Sequence, residues 1–284
     1  MVVNYVLIDK ESGEVINENY EIEELDDLVK KNNIIQKRKS EDKFYKYIDK
    51  EIGSFYFNYY KRFKPTIPTQ YIFRFIYLCC FMDYDNNLIW GESKQYMSEK
   101  DMQEVLKLAK TEFYTTKKTL LKNDLIQIVD DSVKINKLYS IKGGINKNKK
   151  VEIVRMFENT IKDLYEKSLP REHKNVGILI KLLPFVNFRY NILCSNPREE
   201  NLENIIALAN KDLIEILDIS KPTQLKLLKI KVNKEPAFIK VDNCYLKNVY
   251  VINPKIYYKG NDIDDLAGVI NLFKVKKSTR KRKK

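Results

Sequence analysis

The 284-residue chain carries 52 Lys and Arg against 39 Asp and Glu, a formal charge of +13, and is 44 % hydrophobic, which allows one large core or two medium ones and favours a polyanionic partner. Charge alone does not separate DNA from RNA or an acidic membrane face, and abundant Lys, Ile, Asn and Tyr also fit a nucleotide bias of the genome. Cys79, Cys80, Cys194 and Cys244 lack the close pairing and His partners of a zinc site, and no apolar run reaches the roughly 18 to 20 residues that cross a bilayer. With no signal peptide read at the start, the expectation is a soluble cytoplasmic protein with reduced thiols, without metal or cofactor and without a membrane partner.

In chain order, VVNYVLIDKESGEVI reads as a hairpin turning at Ser12 and Gly13. Glu18 to Ser40 is a charged stretch in which no element is read, and Phe44 to Tyr60 reads as an amphipathic helix. Pro68 can open a helix through Tyr71, Phe75 and Cys79 that ends at Asp83 to Asn87. Ser98, followed by acidic residues, opens another with Met102, Val105, Leu106 and Ala109 as its buried stripe. A bend at Lys110 and Thr111 leads into a third helix whose inner side carries Phe113, Leu120 and Leu121. The alternating stretches LIQIV and VKINKLYSI then predict a hairpin turning at Asp130 to Ser132.

This order recurs. Ile76 to Trp90 aligns with Ile180 to Cys194 at an offset of 104, so that Phe81 meets Phe185 and Asn87 meets Asn191. At an offset of 111, Glu99 to Lys110 aligns with Asn210 to Lys221, and Ile128 to Ile141 with Ile239 to Ile252. The second copy is read as helices at Ile153 to Lys167, Arg171 to Val186 and Asn204 to Leu217, a further helix from Ser220, and a hairpin over Ala237 to Ile252. Three helices closed by a hairpin define the winged form of the helix-turn-helix. The expected fold is therefore α+β and mainly helical, with tandem winged helix-turn-helix domains related by internal duplication. The segments are 1–42 (hairpin and charged linker), 43–145 and 146–260 (the two winged units) and 261–284 (a basic tail).

FENTIKDLYE, NFRYNIL, LANKDLIEILDISKPTQLKLLK and YVINPKIYYKG resemble the winged-helix replication initiators of plasmids and phages from AT-rich Gram-positive bacteria, and the opening DKESGEV is similar to their N-termini. The resemblance is closest over residues 150 to 260 and looser over 40 to 145. It implies sequence-specific binding of double-stranded DNA at origin repeats and recruitment of host replication proteins, in association with plasmid or nucleoid. Pro222 and Gln224 depart from the family, which more often has Ser and Val there.

Candidate DNA-binding residues follow from the helix-turn-helix reading. Thr111, Tyr114, Thr115, Lys118 and Lys122 share one sector of the third helix, suited to base edges and phosphate. Lys221, Thr223, Gln224, Lys226 and Lys229 are their counterparts in the second copy, and Lys134, Lys137, Lys240 and Lys247 lie on the two wings. The tail KVKKSTRKRKK, including Lys281 and Arg282, is expected to be unstructured alone and to add salt-sensitive, sequence-independent affinity. Catalysis is not expected. The single histidine, His173, reads as a surface polar residue, no phosphate-binding loop is present, and the paired acids Asp130-Asp131 and Asp264-Asp265 read as ordinary surface charge. Two other functions remain open on the residues alone: a transcriptional or plasmid-segregation regulator with the same tandem units, and a protein-interaction module.

Overall fold

Asp9 builds the first turn: its Oδ1 accepts the backbone N–H groups of Glu11 and Ser12, both at 2.8 Å, and Gly13 supplies the left-handed residue at φ 71°. The computed structural model describes residues 4–143, 152–217, 229–232, 234–241 and 249–281, with side chains described outside 4–7, 16–28 and 275–281. Two units are distinguished, Met1–Lys50 and Glu51–Lys284.

In the first unit, β1 (Asn4–Ile8) pairs antiparallel with β2 (Val15–Glu21), as the hairpin reading expects. The charged stretch in which no element was read is helical: α1 spans Ile22–Glu51. Its run is rich in Lys and Glu, good helix formers that carry no apolar stripe to announce them.

In the second unit, the helix expected over Phe44 to Tyr60 stops at Glu51. Gly53 turns the chain at φ 105°, and Phe55–Asn58 forms β3. α2 (Thr69–Cys79) starts behind Pro68, followed by the short hairpin β4 (Ile89–Trp90) and β5 (Gln95–Tyr96). α3 (Glu99–Leu106) and α4 (Lys110–Lys122) lead into β6 (Ile126–Val129) and β7 (Ser132–Ile135), with β8 at Ser140–Ile141. The helix expected over Ile153 to Lys167 is also divided, because Val154–Phe157 is β9 and α5 begins at Glu158 and ends at Lys167. The expected helix Arg171 to Val186 is α6 (His173–Lys181) between single 3-10 turns at Pro170–Glu172 and Leu183–Phe185; Pro184 has no N–H to continue the ladder. α7 (Asn210–Leu217) starts later than expected, behind a 3-10 turn at Leu202–Asn204. β10 (Lys231–Val232) pairs with β11 (Glu235–Pro236), and β12 (Phe238–Val241) with β13 (Val249–Ile252). β14 (Tyr257–Tyr258) and α8 (Ile263–Lys281) complete the described chain. The start of the helix expected from Ser220, and the middle of the hairpin expected over Ala237 to Ile252 (residues 242–248), lie outside the described residues.

The result is a mixed α+β, mainly helical fold with several small antiparallel sheets. Its largest sheet has the order β14-β9-β3-β8. Phe57 of β3 stands opposite Arg155 of β9, and each central strand carries a two-residue edge strand in the same register: Phe57 opposite Ile141 and Asn58 opposite Ser140, Arg155 opposite Tyr258 and Met156 opposite Tyr257. α2 packs on α6, where a Cβ added to Gly177 would stand 2.2 Å from the carbonyl oxygen of Thr69, so only glycine permits this approach.

One device occurs twice. Asn86 and Asn191, both buried and left-handed at φ 70° and 51°, each accept a backbone N–H, from Ile135 at 2.8 Å and Ile252 at 2.9 Å. The Asn86 amide donates to the carbonyls of Ile135 and Ser140, at 3.4 and 2.7 Å, and the Asn191 amide to those of Ile252 and Tyr257, at 3.3 and 3.0 Å. Each asparagine thus ties the end of a hairpin to an edge strand of the main sheet. The gapless alignments shift accordingly: Asn86, not Asn87, matches Asn191, and Ile135, not Ile141, matches Ile252. The first turn is one residue shorter, since Met82 bridges Leu88 where Val186 bridges Leu193.

One continuous core joins residues from Tyr56 to Tyr257, and a second cluster gathers Ile192, Ile205, Val249, Val251, Val269 and Phe273. α8 is therefore packed through Phe273 and helical to Lys281, unlike the unstructured tail expected. Arg189 fixes its start through two hydrogen bonds to Asp265, at 2.8 and 3.1 Å.

Candidate nucleic-acid interface

α3 begins with a capping box. Ser98 Oγ accepts the Asp101 N–H at 3.2 Å, and Asp101 Oδ2 accepts the Ser98 N–H at 2.8 Å; the Ser98 hydroxyl, donating to Oδ2 at 2.7 Å, and that Ser98 N–H lower the Asp101 pKa against a smaller opposing effect of burial. Met102, Val105 and Leu106 are buried as expected, whereas Ala109, expected in the same stripe, is exposed in the turn before α4; Tyr165 donates to the Leu106 carbonyl at 2.8 Å. The turn lies at Lys107–Ala109, earlier than the bend expected at Lys110 and Thr111. Lys107 adopts the left-handed conformation at φ 50°, and Leu108 is inserted into the core.

α4 buries Phe113, Thr116 and Leu120 and exposes Thr111, Tyr114, Thr115, Lys118 and Lys122 together on its outer face. Leu121, expected on the inner side, is 38 % exposed. Lys117, beside that face, is engaged by Glu99 at 2.5 Å and lies 5.2 Å from the Tyr114 ring centre, which leaves Lys118 and Lys122 as the open cations. The threonine hydroxyls of residues 115 and 119 bond back to the carbonyls one turn earlier, at 2.9 and 2.8 Å.

A residue outside the expected set seats this helix. Arg74, 1 % exposed on α2, donates to Thr116 Oγ1 at 2.7 Å, pairs with Glu112 and donates through Nε to His173 Nδ1 at 3.2 Å. Glu112 is thereby drawn away from the outer face of α4. His173 is buried, not a surface residue; burial and the Arg74 charge lower its pKa to about 4 against a backbone hydrogen bond involving Ser168, keeping the ring neutral at pH 7. Arg74 was visible as the one charge inside an apolar helical run, whereas nothing local marked His173 as its partner.

The β6–β7 hairpin packs beside these helices and turns at Asp130 and Asp131, both left-handed at φ 48° and 61°. Lys134 is half-buried and Lys137 exposed, so the cationic part of this wing is its flank and the acidic part its tip. Of the second set, Lys229 is exposed and Lys240 is exposed on β12. Lys221, Thr223, Gln224, Lys226, Lys247 and Arg282 lie outside the described residues, and Lys281 ends α8 with its side chain not described.

Among the described residues no group of three His, Cys, Asp or Glu is placed to hold a metal ion, and no helix is long and apolar enough to cross a membrane. Compared with family models, curated proteins and solved structures, the chain matches none.

Proposed function

We propose that this chain binds double-stranded DNA without catalysing a reaction, as an initiator of plasmid or phage replication, through two winged helix-turn-helix units related by duplication. The observation that carries the reading is the outer face of α4. Two threonines, a tyrosine and two lysines project together from a helix whose other side is locked into the core and which follows a capped helix and a three-residue turn. A helix with side chains is about 10–12 Å across and the major groove about 12 Å wide, so such a face can enter it, lysines toward phosphate or guanine and threonines toward thymine methyls.

The paired asparagines and the matched pairings of the four-stranded sheet support a duplication, with units over 43–145 and 146–260. Two units in one chain would let a monomer engage two half-sites. The initiator role rests on the family resemblance, with origin repeats and host replication proteins as partners. The acidic tip of the first wing favours a second reading for that unit, contact with a protein, because carboxylates at Asp130 and Asp131 repel phosphate.

Footprinting the full chain on its flanking DNA at about 0.15 M salt tests the reading. Protection of a repeated motif is expected, and no preference over scrambled duplex would support the protein-interaction module instead. A plasmid carrying only this gene and its flanks should replicate in a competent host if the chain is an initiator, and should not if it is a regulator.

A further inference from the structure

Beneath the loop at residues 196–199 is a cavity of about 670 Å³, within the roughly 300–1,000 Å³ range of small-molecule sites. Lys259, just after β14, lines it. Its ammonium donates to the Leu183 carbonyl and, at 3.1 Å, to that of Val186, and it lies 4.6 Å from the centre of the Tyr60 ring. Among the described residues no carboxylate stands within ion-pair distance of it.

Glu152, a carboxylate in the cavity lining, is already committed. It accepts from Lys61 at 2.6 Å, from the Tyr60 hydroxyl at 3.0 Å and from Arg198. Burial alone would push its pKa up, but those three hydrogen bonds outweigh it and hold the group at about 2. For Lys259, burial dominates; Glu152 and Cys194 oppose it, Lys61 reinforces it, and the ammonium is held at about 7. Glu199 also lines the cavity and is turned back to its own loop, accepting the Asn201 N–H at 2.9 Å.

The corresponding lysine of the first half shows what is missing. Lys142 follows β8 as Lys259 follows β14, and it is paired with Glu158 at 2.9 Å. Glu158 follows β9 where Tyr60 follows β3, so an aromatic ring occupies the place of a counter-ion. The cavity thus contains a lysine met by two carbonyls and a ring where its counterpart has a carboxylate, beside the 83 % exposed Arg198 guanidinium paired with Glu152, with Phe188, Pro184 and Pro197 as apolar wall.

We propose that this cavity binds a small organic phosphate bearing a flat ring, of the mononucleotide class, with the phosphate between Lys259 and Arg198 and the ring along Phe188. Arg presents a planar fork that suits a phosphate, and Lys supplies a point charge behind it. None of these residues belongs to the outer face of α4, so the site stands or falls independently of DNA reading there.

Calorimetric titration of the full chain with dAMP, inorganic phosphate and a short blunt duplex tests it. Saturable binding of one dAMP is expected, at least tenfold tighter than inorganic phosphate and at least tenfold weaker in Lys259→Met and in the surface variant Arg198→Ala. Equal affinity for dAMP and inorganic phosphate, binding unchanged in both variants, or an effect of the variants on duplex but not on dAMP would each overturn the proposal. Arg198→Ala keeps the test decisive if Lys259→Met does not fold.

Discussion

The two halves of residues 51–284 share an asparagine clamp and a strand-to-lysine order, yet they neutralise that lysine differently. Lys142 has the Glu158 carboxylate; Lys259 has the Tyr60 ring and two carbonyls. The clamp is a backbone device in which two buried carbonyls and one N–H must be satisfied, and few side chains other than asparagine combine an amide with tolerance of the left-handed conformation. The lysine environment is under no such constraint, and there the halves differ, one closed by an ion pair and the other lining a cavity.

The largest expected effect breaks the shared part. Asn86→Ala and Asn191→Ala should each destabilise by about 2–4 kcal/mol in urea unfolding, since each leaves buried carbonyls unpaired and places alanine at positive φ. Markedly unequal losses would show that the two clamps are not equivalent.

Next, the lysines should respond in opposite ways. Lys142→Met should cost about 2 kcal/mol by leaving Glu158 buried and unpaired. With a native pKa of about 7, below its unfolded value, Lys259 binds its proton less readily in the folded state than in the unfolded one. It therefore opposes folding fully below pH 7, and this is relieved as pH rises toward the unfolded pKa near 10.4. Lys259→Met should accordingly gain stability relative to the parent at pH 7, on the order of 1–3 kcal/mol, and this relative gain should shrink by about pH 10. A difference between the two chains that does not change with pH would contradict the account of Lys259.

His173 gives a smaller effect in a lower window. Because its native pKa of about 4 lies below the unfolded value near 6.5, the parent should lose about 1–2 kcal/mol as pH falls from 6.5 to 4. His173→Asn should flatten that part of the stability curve. An unchanged slope would place the titrating group elsewhere.

Much of the first half was legible locally. Pro68, Ser98 with Asp101, and the alternating LIQIV carry their own start signals, and α2, α3 and the β6–β7 hairpin follow them. β3 and β9 were not, because FYFN and VRMF become strands by pairing with each other across the sheet, a gain that no window of one sequence segment contains. The exposed face of α4 could be read from helical spacing, but Arg74, Glu112 and His173 meet only in three dimensions. The same distance hid Tyr60 beneath Lys259.

The smallest changes address the DNA reading. Lys118→Ala and Lys122→Ala should each weaken duplex binding about 3- to 10-fold and lower the salt slope by about 1, without altering stability. The most direct test places a photo-crosslinking amino acid at Tyr114, 48 % exposed on the outer face of α4, in the full chain bound to its flanking duplex. A crosslink to a base within the footprint is predicted; the same footprint with no crosslink from position 114 would contradict the claim that this helix reads DNA.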